Sequence, residues 1–195
     1  MKILSREARQ FAAALFLALS IPLFTVHQGA VAETRGQVVV ELYTSQGCNS
    51  CPPADRLLGK LAARDDLVAL TFNVDYWDYL GWKDTLAQPA HTERQRHYAA
   101  ALHNRSVYTP QIVIGGRQHA VGSDAAAVEA AIEAERRHAD GLPDLRLAHK
   151  DGRIIVSLAA APGKRADATV WLVRYEQRRD VPIERGENAG NNLSY

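Results

Sequence analysis

The sequence predicts an α/β fold in which a central mixed sheet is flanked by helices and followed by a small β-rich extension. Strand and helix patterns alternate between positions 37 and 141, and a diglycine turn adds an antiparallel hairpin. Strand patterns alone follow from Leu142 onward. The chain has 195 residues, of which 47% are hydrophobic, and this is enough to bury a core.

The elements of the first part are predicted from hydrophobic spacing. Runs of β-branched and apolar residues indicate strands, and apolar residues at helical spacing indicate helices. Gly115-Gly116 is typical of a two-residue hairpin turn, and we expect the strand–helix–strand units to form right-handed parallel crossovers. In chain order the predictions are a strand at 37–43, a helix from Pro52, a strand at 67–74, a helix at 89–103, strands at 111–114 and 117–121, and a helix at about 124–137.

The predicted extension consists of strands at 145–149, 154–159 and 168–175, with Asp151-Gly152 as a turn. A segment as short as 142–195 can hardly bury a core alone. We therefore expect the extension to pack on the preceding part or to add to its sheet, with Trp171 and Tyr175 in a core.

The composition excludes several classes of protein. A net charge of +1 is not the basic excess of a nucleic-acid binder, and two cysteines are too few for a disulfide-dense mini-protein. The hydrophobic content is too high for a disordered tail. The sequence has no glycine-rich phosphate loop and no G-x-S-x-G, so we expect no nucleotide or flavin cofactor and no serine hydrolase site.

The segment from Met1 to Ala32 shows the three parts of a secretory signal peptide. Three basic residues precede an apolar run at 11–24, and the small-residue pattern Ala30-Val31-Ala32 follows. A membrane anchor is the alternative, but this run contains Pro22 and is shorter than the roughly 20 residues that span a bilayer. We expect cleavage after Ala32, which leaves a nearly neutral mature chain from Glu33 in the periplasm or outside the cell, with no membrane span.

Both cysteines lie in the expected mature part, as Cys48-Asn-Ser-Cys51. A structural disulfide across so short a loop contributes only about 2 kcal/mol in the chain-entropy model. The C-x-x-C spacing suits a redox cycle, because one thiol attacks and the other resolves the mixed disulfide. A zinc site needs two further ligands, and no second C-x-x-C or H-x-x-x-H is present. The spacing favours redox chemistry and leaves the structural and metal alternatives open.

The pair lies between a predicted strand and a predicted helix. Pro52 and Pro53 suit a first helical turn, and the leucines that follow share one helix face. A helix N-terminus favours a thiolate and lowers its pKa, but two prolines remove two of the backbone donors available there.

Three separated motifs carry a resemblance to a known family: ELYTSQGCNSCPPAD at 41–55, VDYWDYLGW at 74–82 and YTPQ at 108–111. With the element order, they resemble a secreted bacterial thioredoxin-like family that is catalogued as a domain of unknown function. The resemblance implies a thioredoxin-like fold, with a thioredoxin-like domain at 33–141 and the β-rich extension at 142–195. Members of that family continue past the position of Asn191, which implies a truncated extension.

The resemblance also implies roles for individual residues. Cys48 is the nucleophile and the more exposed cysteine, and Cys51 resolves the mixed disulfide. Thr109-Pro110 holds a cis peptide bond that presents backbone groups to an extended substrate. Thioredoxin has a buried carboxylate six residues before its first cysteine, but Leu42 occupies that position here, and Glu41 is expected on the other face of its strand.

The segment 74–82 supplies the remaining candidate substrate-binding residues, Asp75, Tyr76, Trp77 and Asp78. They follow the second strand, and ligands of open α/β sheets gather at the carboxyl ends of strands. One interpretation is an aromatic, acidic rim that grips a peptide or a small thiol. The other is a buried aromatic plug that closes the sheet, with the aspartates as turn formers.

These patterns predict an exported thiol–disulfide oxidoreductase that acts on a protein or small molecule bearing a thiol or disulfide. It needs no metal or organic cofactor and no nucleic-acid partner. One alternative is a periplasmic copper-binding or copper-chaperone module, because thiolates are soft ligands that suit Cu(I). Another is a non-catalytic binding module with a fixed disulfide. The histidine and arginine side chains at 91–103 are expected to form a solvated face, and a thiolate partner or metal ligand among them is the alternative.

Overall fold

A computed structural model describes residues 31–33, 37–139, 145–159 and 169–195. The predicted signal peptide and the predicted domain boundary near 141 lie largely outside these ranges, and both stay predictions. Among the residues that are described, no helix combines the length and the apolar character needed to cross a membrane.

Three helices and nine strands form an α/β architecture in the described ranges. Every element predicted between positions 37 and 139 is present, with ends that differ by no more than two residues. The helices are α1 (Pro52–Leu61), α2 (Pro89–Ala101) and α3 (Ala125–Ala139), and the strands are β1 (Val31–Glu33), β2 (Val38–Thr44), β3 (Leu67–Asn73), β4 (Gln111–Ile114), β5 (Gln118–Val121), β6 (Leu145–Lys150), β7 (Arg153–Leu158), β8 (Asp180–Pro182) and β9 (Asn192–Ser194).

A four-stranded mixed sheet in the order β3-β2-β4-β5 positions the candidate site. β2 pairs in parallel with β3, so the predicted crossover through α1 is confirmed. β4 runs antiparallel to β2, so the parallel crossover predicted through α2 is wrong. The connection through α2 also contains the long 74–88 segment, and it returns the chain to the edge where β2 ends, with Gln111 opposite Tyr43.

The two faces of this sheet bury different cores. Alternate residues of β2 share one face, as a strand of period two requires, and pack with β4 against α1 and α3. The opposite face carries aromatic residues and packs against α2. The first core includes Val40, Leu42, Leu58, Ile112, Ile114 and Ile132, and the second includes Tyr43, Phe72, Val74, Tyr98 and Val113.

A charged pair is buried on the face toward α2. Glu41 is 4% exposed, and its carboxylate accepts from the Arg94 guanidinium at 2.6 Å. The hydroxyl of Tyr43 donates to the same carboxylate at 3.2 Å. Glu41 therefore lies on the face of the sheet opposite Leu42, where Arg94 and Tyr43 are its hydrogen-bond donors.

The β-rich extension is only partly as predicted. β6 and β7 form the expected hairpin, and β1 pairs antiparallel with β6. Residues 169–175 form no strand, and Trp171 and Tyr175 are 75% and 62% exposed, so the strand and core predicted there are wrong. A β-branched and aromatic run becomes a strand only beside a hydrogen-bonding partner, and no described strand pairs with this one.

The hairpin of β8 and β9 packs on the first part of the chain, one of the two arrangements expected for the extension. Val181, Ile183 and Leu193 form a small core. Trp82 and Leu86, from the segment after β3, pack against it.

Replacing Arg94 by methionine should lower the free energy of unfolding by about 2–3 kcal/mol. The change leaves the buried Glu41 carboxylate without its cation, which costs about 3–5 kcal/mol in a fully buried pair. We expect less here because the Arg94 side chain is 36% exposed. Urea unfolding at neutral pH measures the loss. The double variant Glu41→Gln/Arg94→Met buries no charge and should recover most of it, and a double variant as unstable as the single one contradicts this account.

Candidate functional site

The two cysteines form a disulfide at the junction of β2 and α1. Cys48 lies in the turn after β2, Cys51 is the N-cap of α1, and their Cα atoms are 5.4 Å apart. The Cys51 N–H donates to the Cys48 carbonyl oxygen at 3.2 Å and closes the turn. Cys48 is 2% exposed and Cys51 has no exposed surface, so the expected nucleophile is enclosed together with its partner.

The N-terminus of α1 offers the thiols few backbone donors. Pro52 and Pro53 occupy its first two positions and have no N–H. The next two N–H groups, of Ala54 and Asp55, both donate to the Cys51 carbonyl oxygen, at 2.8 and 3.2 Å. Stabilisation of a thiolate here depends on the helix dipole and on side chains.

Two hydroxyl groups contact the sulfur of Cys48. The Thr109 hydroxyl and the Ser50 hydroxyl each lie 3.4 Å from Cys48 Sγ. The Trp77 indole N–H donates to Thr109 Oγ1 at 2.7 Å. Because an indole nitrogen can only donate, this contact uses a lone pair of Thr109 and leaves its hydroxyl hydrogen for the sulfur. The Thr109 hydroxyl is thus oriented to stabilise a thiolate at Cys48.

The loop before β4 places Thr109 beside the disulfide. The Thr109–Pro110 peptide bond is cis, as the resemblance implied. Pro110 is buried, and its carbonyl oxygen accepts from the Gly122 N–H at 2.9 Å. A Cβ on Gly122 would lie 3.1 Å from Pro110 Cβ and 3.0 Å from Ala54 Cβ, so glycine allows this close approach of loop and helix.

Side chains of the segment 74–82 make hydrogen bonds within the protein. The predicted substrate-binding side chains Asp75, Tyr76, Trp77 and Asp78 are half-buried, and each is hydrogen-bonded within the protein. Burial raises the pKa of Tyr76 to about 12. The role of these residues in substrate binding stays a prediction. Their partners are Thr92 for Asp75 (2.6 Å), Gln95 for Tyr76 (3.2 Å), Thr109 for Trp77 (2.7 Å) and the Asp84 N–H for Asp78 (3.0 Å).

A buried carboxyl group, which sequence reasoning missed, lies one helical turn after Cys51. Asp55 is 6% exposed, and its Oδ1 accepts from Thr44 Oγ1 at 2.7 Å. Its Oδ2 is buried without a hydrogen-bond partner among the described residues. Burial raises the pKa of Asp55 to about 7, and the Thr44 hydrogen bond offsets this only in part. The available signal was the aspartate of the PPAD motif, four positions after Cys51.

A second buried carboxyl, also missed, holds the backbone before Cys48. Asp84 accepts from the Gln46 N–H at 2.8 Å, from the Asn73 side-chain amide at 2.9 Å and from the Leu86 N–H at 2.8 Å. Burial nevertheless raises its pKa. Three donors from three segments therefore converge on one carboxyl beneath the turn.

The C-terminal hairpin contributes a further residue to this turn. The side-chain amide of Asn188 donates to the carbonyl oxygens of Gln46 and Cys48, both at 2.9 Å. Asn188 is 3% exposed. No motif marks this residue, which is 140 positions from Cys48.

The histidine and arginine side chains of α2 do not contact the cysteines. His91 Nδ1 lies 2.9 Å from the Asn73 carbonyl oxygen, Arg94 pairs with Glu41, and His97 is exposed. Among the described side chains, no group of three or more His, Cys, Asp or Glu is arranged to hold a metal ion.

A groove of about 1090 Å³ lies beside this site, between α1, the β3 edge of the sheet and the segments 173–179 and 192–195. Asp55 and Tyr195 line it, but neither cysteine does. The disulfide therefore lies outside this groove.

Comparison with known proteins adds a family and one similar structure. The chain is similar to the X-ray crystal structure of a protein from Agrobacterium tumefaciens, with 43% sequence identity and a TM-score of 0.58. The match covers 63% of this chain and 56% of that protein, so the chain spans little more than half of that protein's length. No curated protein matches the sequence. Residues 39–195 match the family described as "Protein of unknown function (DUF1223)", and the chain belongs to this family.

Proposed function

We propose that this protein is an exported thiol–disulfide oxidoreductase with a thioredoxin-like fold. The observation that carries the proposal is the Cys48–Cys51 disulfide at a helix N-terminus, with the oriented Thr109 hydroxyl on the Cys48 sulfur. The element order and the cis bond before Pro110 support the thioredoxin-like assignment. The leader pattern supports export to the periplasm or beyond.

In the reducing direction, the Cys48 thiolate attacks a disulfide in a protein or in a small molecule. A bond forms between Cys48 Sγ and one substrate sulfur, the substrate S–S bond breaks, and the other substrate sulfur leaves as a thiolate and takes a proton. The Cys51 thiol then loses its proton and attacks Cys48 Sγ, which re-forms the Cys48–Cys51 disulfide. The second substrate sulfur leaves as a thiolate and takes a proton. Two electrons pass from the pair to the substrate, and the reverse sequence oxidises a substrate dithiol.

Asp55 accepts the proton that Cys51 loses in the second step. Cys51 has no exposed surface in the disulfide form, and this favours a base within the protein over bulk water. Asp55 lies one turn further along α1, and a carboxyl group with a pKa of about 7 accepts and returns a proton near neutral pH. Nearby charges act on it in both directions, because Asp84 raises and Arg56 lowers its pKa.

Replacing Cys48 by serine should abolish the reduction of insulin, because no thiolate remains to attack. Replacing Cys51 by alanine should leave the first attack intact and trap mixed disulfides, which mass spectrometry of captured partners identifies. The wild-type cysteine pair should be reduced and re-oxidised reversibly in buffers with different ratios of reduced to oxidised glutathione. A pair that cannot be reduced, or unchanged insulin turnover in Cys48→Ser, contradicts the proposal and favours a binding module with a fixed disulfide.

Replacing Thr109 by valine should raise the pKa of the Cys48 thiol by about one to two units, since a hydrogen bond to a charged group contributes about 1.5–3 kcal/mol. Valine keeps the β-branched shape and removes the donor. Trp77→Phe should give a smaller rise, because it removes only the group that orients the hydroxyl. The pH dependence of alkylation of the reduced protein measures both. Tyr79→Phe, at an exposed position of the same segment, is the control and should change nothing.

Replacing Asp55 by asparagine should stabilise the protein increasingly, relative to wild type, from about pH 4 to about pH 7. The folded-state pKa of Asp55 is raised, so the folded protein retains a proton that the unfolded chain releases. The stability this proton confers is fully present below the unfolded pKa and is lost as the pH rises through the folded pKa. The difference should grow by up to about 1.4 kcal/mol per pH unit and then level off.

Urea unfolding over this pH range tests the Asp55 prediction, with the exposed Asp65→Asn as the control. The Asp55 variant should also accumulate mixed disulfide, because the second step lacks its base. A stability difference that does not depend on pH would contradict the prediction, because it would show that folding does not raise the pKa of Asp55.

A further inference from the structure

The C-terminal hairpin lies against the turn that carries the disulfide. Its small core of Val181, Ile183 and Leu193 packs with Trp82 and Leu86, which belong to the segment after β3. Two residues of the hairpin region reach further in. Asn188 is in the loop between β8 and β9, and Tyr195, which follows β9, is half-buried beside Asp55 and Asp84, whose charges help to raise its pKa after the larger effect of burial.

Asn188 contacts the turn that carries the disulfide, which we call the redox turn, with both hydrogens of its amide group. One hydrogen bond goes to the Gln46 carbonyl oxygen and one to the Cys48 carbonyl oxygen. A primary amide has two N–H hydrogens, so this geometry uses its full donor capacity. The Asn188 side chain is 3% exposed. Its removal would therefore take one donor from each of these two carbonyl oxygens, which costs free energy.

The Cys48 carbonyl oxygen is a shared acceptor. It receives the Asn188 amide at 2.9 Å and the Cys51 N–H at 3.2 Å. The second of these bonds closes the turn between the two cysteines. The hairpin and the C-x-x-C turn therefore share one hydrogen-bond acceptor, the Cys48 carbonyl oxygen.

The segment after β3 connects the hairpin to the redox turn by a second route. The Trp82 indole N–H donates to Gln46 Oε1 at 2.8 Å, on the residue whose carbonyl oxygen binds Asn188. Gly186, in the hairpin loop, has a positive φ of 80°, and a Cβ there would lie 3.0 Å from Trp82 Cβ. The loop thus approaches Trp82 as closely as a glycine permits.

We propose that the hairpin is a cap on the redox site and that Asn188 is the positioning residue that couples the cap to the disulfide. The docked cap stabilises the closed turn of the oxidised pair and encloses Cys48. Reduction opens the turn and loosens the cap, and this admits a protein-sized partner. By thermodynamic linkage, weakening the cap makes the disulfide easier to reduce to the same degree. This inference rests on the proposed function, of which it describes the regulation.

The first test compares Asn188→Ala with Asn191→Ala, an exposed asparagine three positions further in the same loop. Equilibration with reduced and oxidised glutathione measures how readily each pair is reduced. In Asn188→Ala the equilibrium constant for forming the disulfide should fall about three- to tenfold, the net effect of about one hydrogen bond. Asn191→Ala should stay within twofold of wild type. A folded Asn188→Ala protein with the wild-type constant overturns the proposal.

The second test needs no variant and decides the question if Asn188→Ala fails to fold. Hydrogen exchange of wild-type backbone amides in residues 180–195 is compared before and after reduction with dithiothreitol. Exchange that is several-fold faster in the reduced protein supports the cap, and equal protection in both states overturns it. Insulin reduction is measured on the same samples. Faster exchange without insulin reduction leaves the cap in place and refutes the proposed oxidoreductase instead.

Discussion

The parallel pairing of β2 with β3 determines where the candidate groups lie. Because the two strands pair along their full length and run in the same direction, both end at the same edge of the sheet. The turn with Cys48 leaves β2 at this edge, and the segment with Trp77 leaves β3 there. The two meet closely, since a Cβ on Gly47 would lie 3.0 Å from the Trp77 carbonyl oxygen. Antiparallel β4 begins at the same edge, and the loop before it places Thr109 against the sulfur.

Buried polar groups help to hold this edge in one geometry. A buried carboxyl is costly unless donors surround it, and Asp84 has three from separate segments. Gln46 belongs to the same network through its N–H, its side chain and its carbonyl oxygen. Such networks specify a unique arrangement when they are fully satisfied. In the proposed function, the cysteine pair closes its disulfide in every cycle, and it needs a unique arrangement because the two sulfurs must return to bonding distance.

The local parts of the fold and site were predictable from the sequence, and the distant parts were not. The elements between positions 37 and 139 and the C-x-x-C junction follow from patterns within short windows. The direction of β4 and the missing strand at 169–175 depend on which partner strand is available, and no window contains that information. The burial of Asp55 depends on Thr44 facing it across the sheet and helix layers. Asn188 reaches Cys48 only because the hairpin packs on Trp82.

In the proposed function, two contacts act on Cys48 with opposite effects on its redox equilibrium. The Thr109 hydroxyl stabilises a thiolate, and only the reduced pair carries that charge, so this contact favours reduction. The Asn188 amide binds the carbonyl oxygen that also closes the C-x-x-C turn, so in our proposal it favours the disulfide. The two contacts come from different elements, the loop before β4 and the C-terminal hairpin. A partner that displaced the hairpin would therefore shift the balance toward the thiolate while the donor at the sulfur stayed in place, and the nucleophile would become reactive at the moment when it is uncovered.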